Sequence, residues 1–235
     1  MLELRDLDYR EGGYRLRASL SLEPGARVAV IGPSGAGKST LLDLIAGFRA
    51  PQAGRILWQG GDITEAPPAR RPVATLFQDQ NLFPHLSLER NLGLALAPGG
   101  GRLSSEARDR VAEALREVGL AGFAARRPGE LSGGQAGRAA LARVLLQARP
   151  ILLLDEPFAA LGPALKAEML DRVGAVAARL AALTLLVSHA PEDARRFAEA
   201  TILVAEGQAF PPRETGALFA DPPQSLSAYL GPRGA

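Results

Sequence analysis

Gly32-Pro33-Ser34-Gly35-Ala36-Gly37-Lys38-Ser39-Thr40 separates an apolar run, Arg27-Val28-Ala29-Val30-Ile31, from Leu41-Leu42-Asp43-Leu44-Ile45-Ala46. The three pieces predict a strand, a glycine loop and a helix. Gly32, Gly35 and Gly37 let the backbone fold tightly enough for several N–H groups to face one anion, and the helix starting near Lys38 adds the positive end of its dipole. Phosphate is the expected occupant, with Lys38 reaching its outer groups and the Ser39 hydroxyl placed for Mg2+. The full spacing G-x-x-x-x-G-K-[ST] weighs against a glycine turn that merely caps a helix. Among 27 lysines and arginines, Lys38 and Lys166 are the only lysines.

Composition limits what surrounds this loop. With 235 residues and 47% hydrophobic content, the chain suffices for one α/β domain over residues 1–235, with or without a sub-lobe. The absence of cysteine excludes disulfides, thiolate zinc sites and cysteine nucleophiles. A formal charge of +2, with the basic residues scattered along the chain, does not imply nucleic acid as a partner. Met1-Leu2-Glu3-Leu4-Arg5-Asp6 lacks the basic-then-apolar layout of a signal peptide, and no run approaches the ~20 apolar residues that span a bilayer. A role at a membrane would need other chains to cross it.

In order along the chain, Leu2, Leu4 and Leu7 predict a first strand, and Leu16 to Leu22 alternates as a half-buried antiparallel strand does. Gly47 and Pro51 close the helix after the loop, Arg55 to Gly60 reads as a short strand, and Val73 to Phe77 as a buried one carrying Gln78 at its carboxyl end, where ligands of open α/β sheets gather. Residues 84–148 read as a helical sub-lobe. Leu82-Phe83-Pro84-His85-Leu86 is an apolar loop without an evident local partner, Ser87 and Ser104 cap helices, and Gly119 stops the second of them. His85 is a surface loop residue in this reading.

A second glycine group, Leu131-Ser132-Gly133-Gly134-Gln135, precedes a helical stretch from Arg138 to Gln147. A hydroxyl and open N–H groups at a helix start are again suited to phosphate, so the chain is expected to hold two anion sites. Ile151-Leu152-Leu153-Leu154 then predicts a buried strand ending in Asp155-Glu156-Pro157. Two adjacent carboxylates there are costly unless compensated, which a magnesium ion and a polarised water accomplish. Asp155 is expected in the magnesium shell and Glu156 as the base that orients the attacking water. Leu183 to Val187 predicts another buried strand, ending in Ser188-His189, and His189 is expected to bond the γ-phosphate.

In their order and approximate spacing, GPSGAGKST, Gln78, LSGGQ, ILLLDEP and the histidine of VSH resemble the nucleotide-binding subunits of ABC transporters over essentially the whole chain. The resemblance implies a P-loop NTPase core with a mixed, largely parallel sheet, an N-terminal antiparallel β subdomain and a helical subdomain carrying LSGGQ. It implies ATP and Mg2+ as ligands: Gly32 to Thr40 cradling phosphate; Ser39, Gln78 and Asp155 toward the metal; Glu156, His189 and Gln78 in hydrolysis. Ser132, Gly133, Gly134 and Gln135 would meet ATP bound to the other protomer of a homodimer. Gln78 and the Phe83 to Leu86 loop would face a transmembrane permease, which a periplasmic solute-binding protein serves indirectly, at the cytoplasmic face of the bacterial inner membrane. An aromatic near the N-terminus usually stacks on adenine; Tyr9 and Tyr14 are the candidates, Glu11 standing about where that aromatic is expected.

Arg70 to Val73, Leu76 to Phe83 and Ser188 to Ala194 are most similar to the ATPases of bacterial thiamine importers, which makes thiamine or its phosphates the expected cargo. Importers of another small solute (polyamine, metal or oxyanion) and soluble non-transport ABC ATPases are the alternatives. Many import ATPases carry a C-terminal regulatory barrel; from the ending at Gln224 to Ala235 none is expected here. One departure stands out: where the family reads Ala-Leu-Asp after the paired acids, this chain reads Ala160-Leu161-Gly162. Loss of that aspartate predicts a subunit that binds ATP normally but closes less readily, with low hydrolysis and weak cooperativity between sites, and Ala136-Gly137 is a second place of the same kind.

Overall fold

The computed structural model describes residues 1–77, 82–159 and 161–230. Strands β1 (Leu2–Glu11) and β2 (Tyr14–Leu22) form an antiparallel hairpin, followed by β3 (Arg27–Ile31) and helix α1 (Lys38–Ala46). Next come β4 (Ala53–Trp58), β5 (Gly61–Asp62), β6 (Val73–Leu76), α2 (Leu88–Gly93), α3 (Ser105–Glu117) and α4 (Gly133–Leu146). The rest comprises β7 (Ile151–Asp155), α5 (Pro163–Leu180), β8 (Leu183–Val187), α6 (Pro191–Phe197), β9 (Ala200–Ala205), β10 (Gln208–Ala209), β11 (Arg213–Glu214), α7 (Thr215–Ala220) and α8 (Gln224–Leu230).

The sheet runs β5-β4-β1-β2-β10-β9-β3-β8-β7-β6, with β11 on β9. Pairings β9 to β3, β3 to β8, β8 to β7 and β7 to β6 are parallel, while β4, β1 and β2 form an antiparallel wing. The parallel strands read as nearly continuous apolar runs, interrupted only by threonines and bounded by Arg27 at the start of β3 and Asp155 at the end of β7, because both of their faces are covered. Alternate residues serve two cores: Ala29, Ile31, Leu152, Leu154 and Leu186 pack with α3, α4 and α5, and Val28, Val30, Ile151, Leu153 and Leu185 pack with α1 and the antiparallel wing. Helix α1 is therefore enclosed, and Leu41, Leu44 and Ile45 are completely buried. Its end is held by Gly47, left-handed at φ 86°, and by the buried guanidinium of Arg71, which donates to the carbonyls of Leu44 and Ile45. The second of these cores thereby anchors both ends of the loop between β3 and α1.

Caps set the helical region as the sequence predicts in two cases. Ser87 Oγ accepts from the Arg90 amide and Ser104 Oγ from that of Ala107. The third helix differs: α4 begins at Gly133, not near Arg138, because Ser132 and Gln135 form a reciprocal capping box that starts the helix at the glycines.

Candidate functional site

Because β3, β6, β7 and β8 run parallel, their carboxyl ends share one edge, and the chain leaves that edge at Gly32, Phe77, Glu156 and Ser188. The topology alone brings the glycine loop, the paired acids and the histidine together. Gln78 lies outside the described residues.

The loop is shaped by contacts that a side chain would destroy. Gly32 sits at φ 149°, and a Cβ there would stand 2.0 Å from the Val204 carbonyl oxygen; Gly37 is left-handed at φ 103°, and its Cβ would stand 1.6 Å from Tyr14 Oη. Gly37 is also the N-cap of α1, so no side chain caps that helix start. Lys38, 5% exposed, folds back to donate to the carbonyls of Gly32 and Pro33, each at 2.9 Å. Burial draws its pKa down, while Glu156 and Asp155 oppose the shift. A desolvated ammonium beside an uncapped helix start suits a multiply charged anion, and the two carboxylates nearby suit a divalent cation accompanying it.

Asp155 is buried enough for its carboxyl to be held above the usual range, with the Ser39 hydroxyl donating to it in partial compensation. Among the described residues no group of three or more His, Cys, Asp and Glu could hold a metal ion. One carboxylate and one hydroxyl fit Mg2+, a hard cation that is usually held by few protein ligands plus phosphate and water. Glu156 adopts the left-handed conformation at φ 46°, and its Oε1 lies 2.7 Å from His189 Nε2. A left-handed conformation is uncommon for a non-glycine residue, and here it accompanies a carboxylate directed at the histidine.

The adenine assignment needs correction. Tyr9 is 5% exposed within the core and its hydroxyl accepts from Arg49 Nη1, so it presents no ring face to a base. Glu11 also pairs with Arg49. Tyr14 instead donates from Oη to the Ala36 carbonyl at 3.0 Å, which makes it a brace for the glycine loop. A tyrosine distant in sequence from a glycine loop gives no pattern signal for such a contact.

At the second glycine group, Ser132 Oγ accepts from the Gln135 amide and Gln135 Oε1 accepts from that of Ser132, so the cap hydroxyl is satisfied within the chain. A Cβ on Gly134 would stand 3.0 Å from Leu161 Cδ2. On the helical side, Phe83 is 45% exposed beside a cavity of about 530 Å³ lined by Leu82, Leu94, Ala95, Arg143 and Gln147. The buried amide of Asn91 fixes this loop, donating to the carbonyls of Phe83, Leu86 and Ser87 and accepting from the Phe83 amide. No described helix is long and apolar enough to cross a membrane. Gly162 is the N-cap of α5 at φ −64°, a conformation open to any residue, and no described neighbour comes within 4 Å of where a Cβ would stand.

Sheet order and site together place the chain among the P-loop nucleotide hydrolases, and it belongs to the ABC transporter family, whose model matches residues 16–159. It is an ATP-binding, ATP-hydrolysing cassette of that family. It is similar to the thiamine import ATP-binding protein ThiQ of Cereibacter sphaeroides, at 63% identity over 99% of this chain and 100% of that one. The protein of the same name from Ruegeria sp. is 57% identical over 98% of this chain and 100% of its own length. Among solved structures, the dimeric post-hydrolysis state of the ATP-binding cassette MJ0796 bound to ADP and Pi matches with a TM-score of 0.80 at 28% identity, covering 92% of this chain and 99% of that one.

Proposed function

We propose that this chain energises import of thiamine or its phosphates across a bacterial inner membrane. It works as a homodimer on the cytoplasmic side of a permease supplied by a periplasmic solute-binding protein. The observation that carries the chemistry is the contact of Glu156 with His189 at the sheet edge that also holds Lys38. The cargo rests on similarity to relatives whose names specify thiamine import.

In this reading the Gly32 to Thr40 loop and Lys38 bind the phosphates of ATP, and Ser39 with Asp155 would hold Mg2+, which when bound neutralises phosphate charge. Glu156 accepts a proton from the attacking water, and His189 orients that carboxylate and the terminal phosphate. Ser132 to Gln135 of one protomer closes over ATP on the other. The exposed Phe83 and its cavity receive the permease. The chain forms one ATP-binding domain in which residues 84–148 make the helical sub-lobe.

Glu156→Gln in the purified chain is expected to keep ATP binding and to lower turnover by about 10²-fold or more; turnover at the parent rate overturns the base assignment. Uptake of labelled thiamine by the reconstituted transporter tests cargo and docking together. Uptake is expected with the parent chain and not with Phe83→Asp, although that variant binds ATP. ATP turnover stimulated by a different solute and not by thiamine would overturn the cargo.

A further inference from the structure

Lys166 is the second of the chain's two lysines, and nothing in the ATP site as described uses it. It lies in the first turn of α5, four residues after Gly162. Its Nζ stands 2.5 Å from Asp193 Oδ2 on α6, the two side chains being 23% and 10% exposed. The same carboxylate oxygen accepts the Ser188 hydroxyl proton, and Ser188 Oγ accepts the Ala190 amide at 3.1 Å. That last bond spans His189 and closes a turn around it. Between this turn and α5 lies a cavity of about 270 Å³, whose walls include Glu156, Phe158, Lys166, Ser188, His189 and Asp193. Apolar packing is incomplete there, and the polar chain is what bridges the gap.

We propose that Lys166 is a positioning residue for hydrolysis: through Asp193 and Ser188 it ties the start of α5 to the turn that holds His189 against Glu156. This rests on the reading of Glu156 and His189 as the hydrolytic pair. The tie runs from the helix that follows the Gly162 loop, so displacement of that loop is transmitted to the His189 turn. Misplacing a catalytic group by about 1 Å can cost on the order of 10²-fold in rate.

The test uses the full chain, with kcat and KM for ATP measured beside thermal melting. Lys166→Met is expected to lower kcat ten- to a hundredfold, on the order expected for such misplacement, with KM little changed because the glycine loop is untouched. Lys166→Arg keeps the ion pair and restores kcat. Lys166→Met with Asp193→Asn removes the unpaired buried charge, so melting recovers while kcat stays low. Ser188→Ala cuts the chain one link nearer His189 and gives the same loss with the Lys166 pair intact. The proposal is overturned by a parent-like kcat in Lys166→Met or Ser188→Ala, or by kcat returning together with melting in the double variant. Glu156→Gln is measured alongside: full turnover there removes the underlying reading, whereas loss there with full turnover in Lys166→Met removes only the role of Lys166.

Discussion

The two glycine-bearing helix starts are built in opposite ways. At α1 the N-cap is Gly37, left-handed and without a side-chain cap, and the adjoining Lys38 is buried beside two carboxylates. At α4 the N-cap is Ser132 in extended conformation, and a capping box ties it to Gln135. The first start is held open by the fold, through Tyr14 on the Ala36 carbonyl and a strand packed behind Gly32. The second is satisfied within its own chain and sits on the helical side, reached through Leu161 and not through the sheet. On the proposed function, phosphate affinity within one chain rests on α1, and α4 contributes when a second copy supplies the nucleotide.

The largest effect that could break this contrast is at Lys38. Lys38→Ala is expected to weaken ATP binding about a hundredfold, or roughly 2.7 kcal/mol, by removing a charge-assisted donor and leaving two carboxylates without a counter-charge. Calorimetric titration of the purified chain measures it, and parent-like affinity would place phosphate elsewhere. A smaller effect is expected at the other start. Ser132→Ala should leave ATP affinity of the isolated chain unchanged, lower melting by about 2–4 °C through loss of roughly 1 kcal/mol of capping, and reduce turnover about tenfold. Reduced ATP affinity in the dilute monomeric chain would show that the Ser132 to Gln135 loop acts within its own subunit.

The smallest effect is at Gly162. The sequence predicts that glycine loosens the loop, and at its φ of −64°, which any residue adopts, no described neighbour occupies the space a Cβ would take, so aspartate fits without strain. Aspartate there would supply a charge and a side-chain cap and would remove the extra backbone freedom of glycine. Gly162→Asp is expected to add a few tenths of a kcal/mol, or about 1 °C in melting, and to raise ATPase activity and its Hill coefficient in the assembled transporter. If activity and cooperativity stay level while melting rises, the cap alone has been restored and the interface reading of this position fails.

The parallel core was legible because each strand is an apolar run ending in its functional residues: Ile31 before Gly32, Leu154 before Asp155, Val187 before Ser188. Once these are parallel neighbours, the site follows. Helix α4 starts earlier than the sequence predicts because glycines lower helix propensity, while the reciprocal Ser132 and Gln135 bonds override them. Strand β9, which pairs directly with β3, has no loop chemistry to mark it. Tyr9 and Tyr14 are not told apart by position, since both rings lie on one face of the hairpin against the same core: Tyr9, opposite Leu16, is buried there, and Tyr14, beside the turn, reaches the Ala36 carbonyl of the loop. The chain from Lys166 through Asp193 to Ser188 joins residues up to 27 positions apart on three segments, which no spacing rule links; the scarcity of lysine was the one trace of it in the sequence.

Each ATP site, on this account, joins the α1 start of one chain to the α4 start of another. Mixing two inactive variants tests it most directly: Lys38→Ala, with an intact Ser132 loop, and Ser132→Arg, with an intact phosphate loop. Random pairing makes about half of the dimers mixed, and each mixed dimer has one complete site of two, so a 1:1 mixture is expected to recover up to about a quarter of the parent ATPase activity. Activity no higher than the average of the two variants measured separately would contradict a site shared between chains.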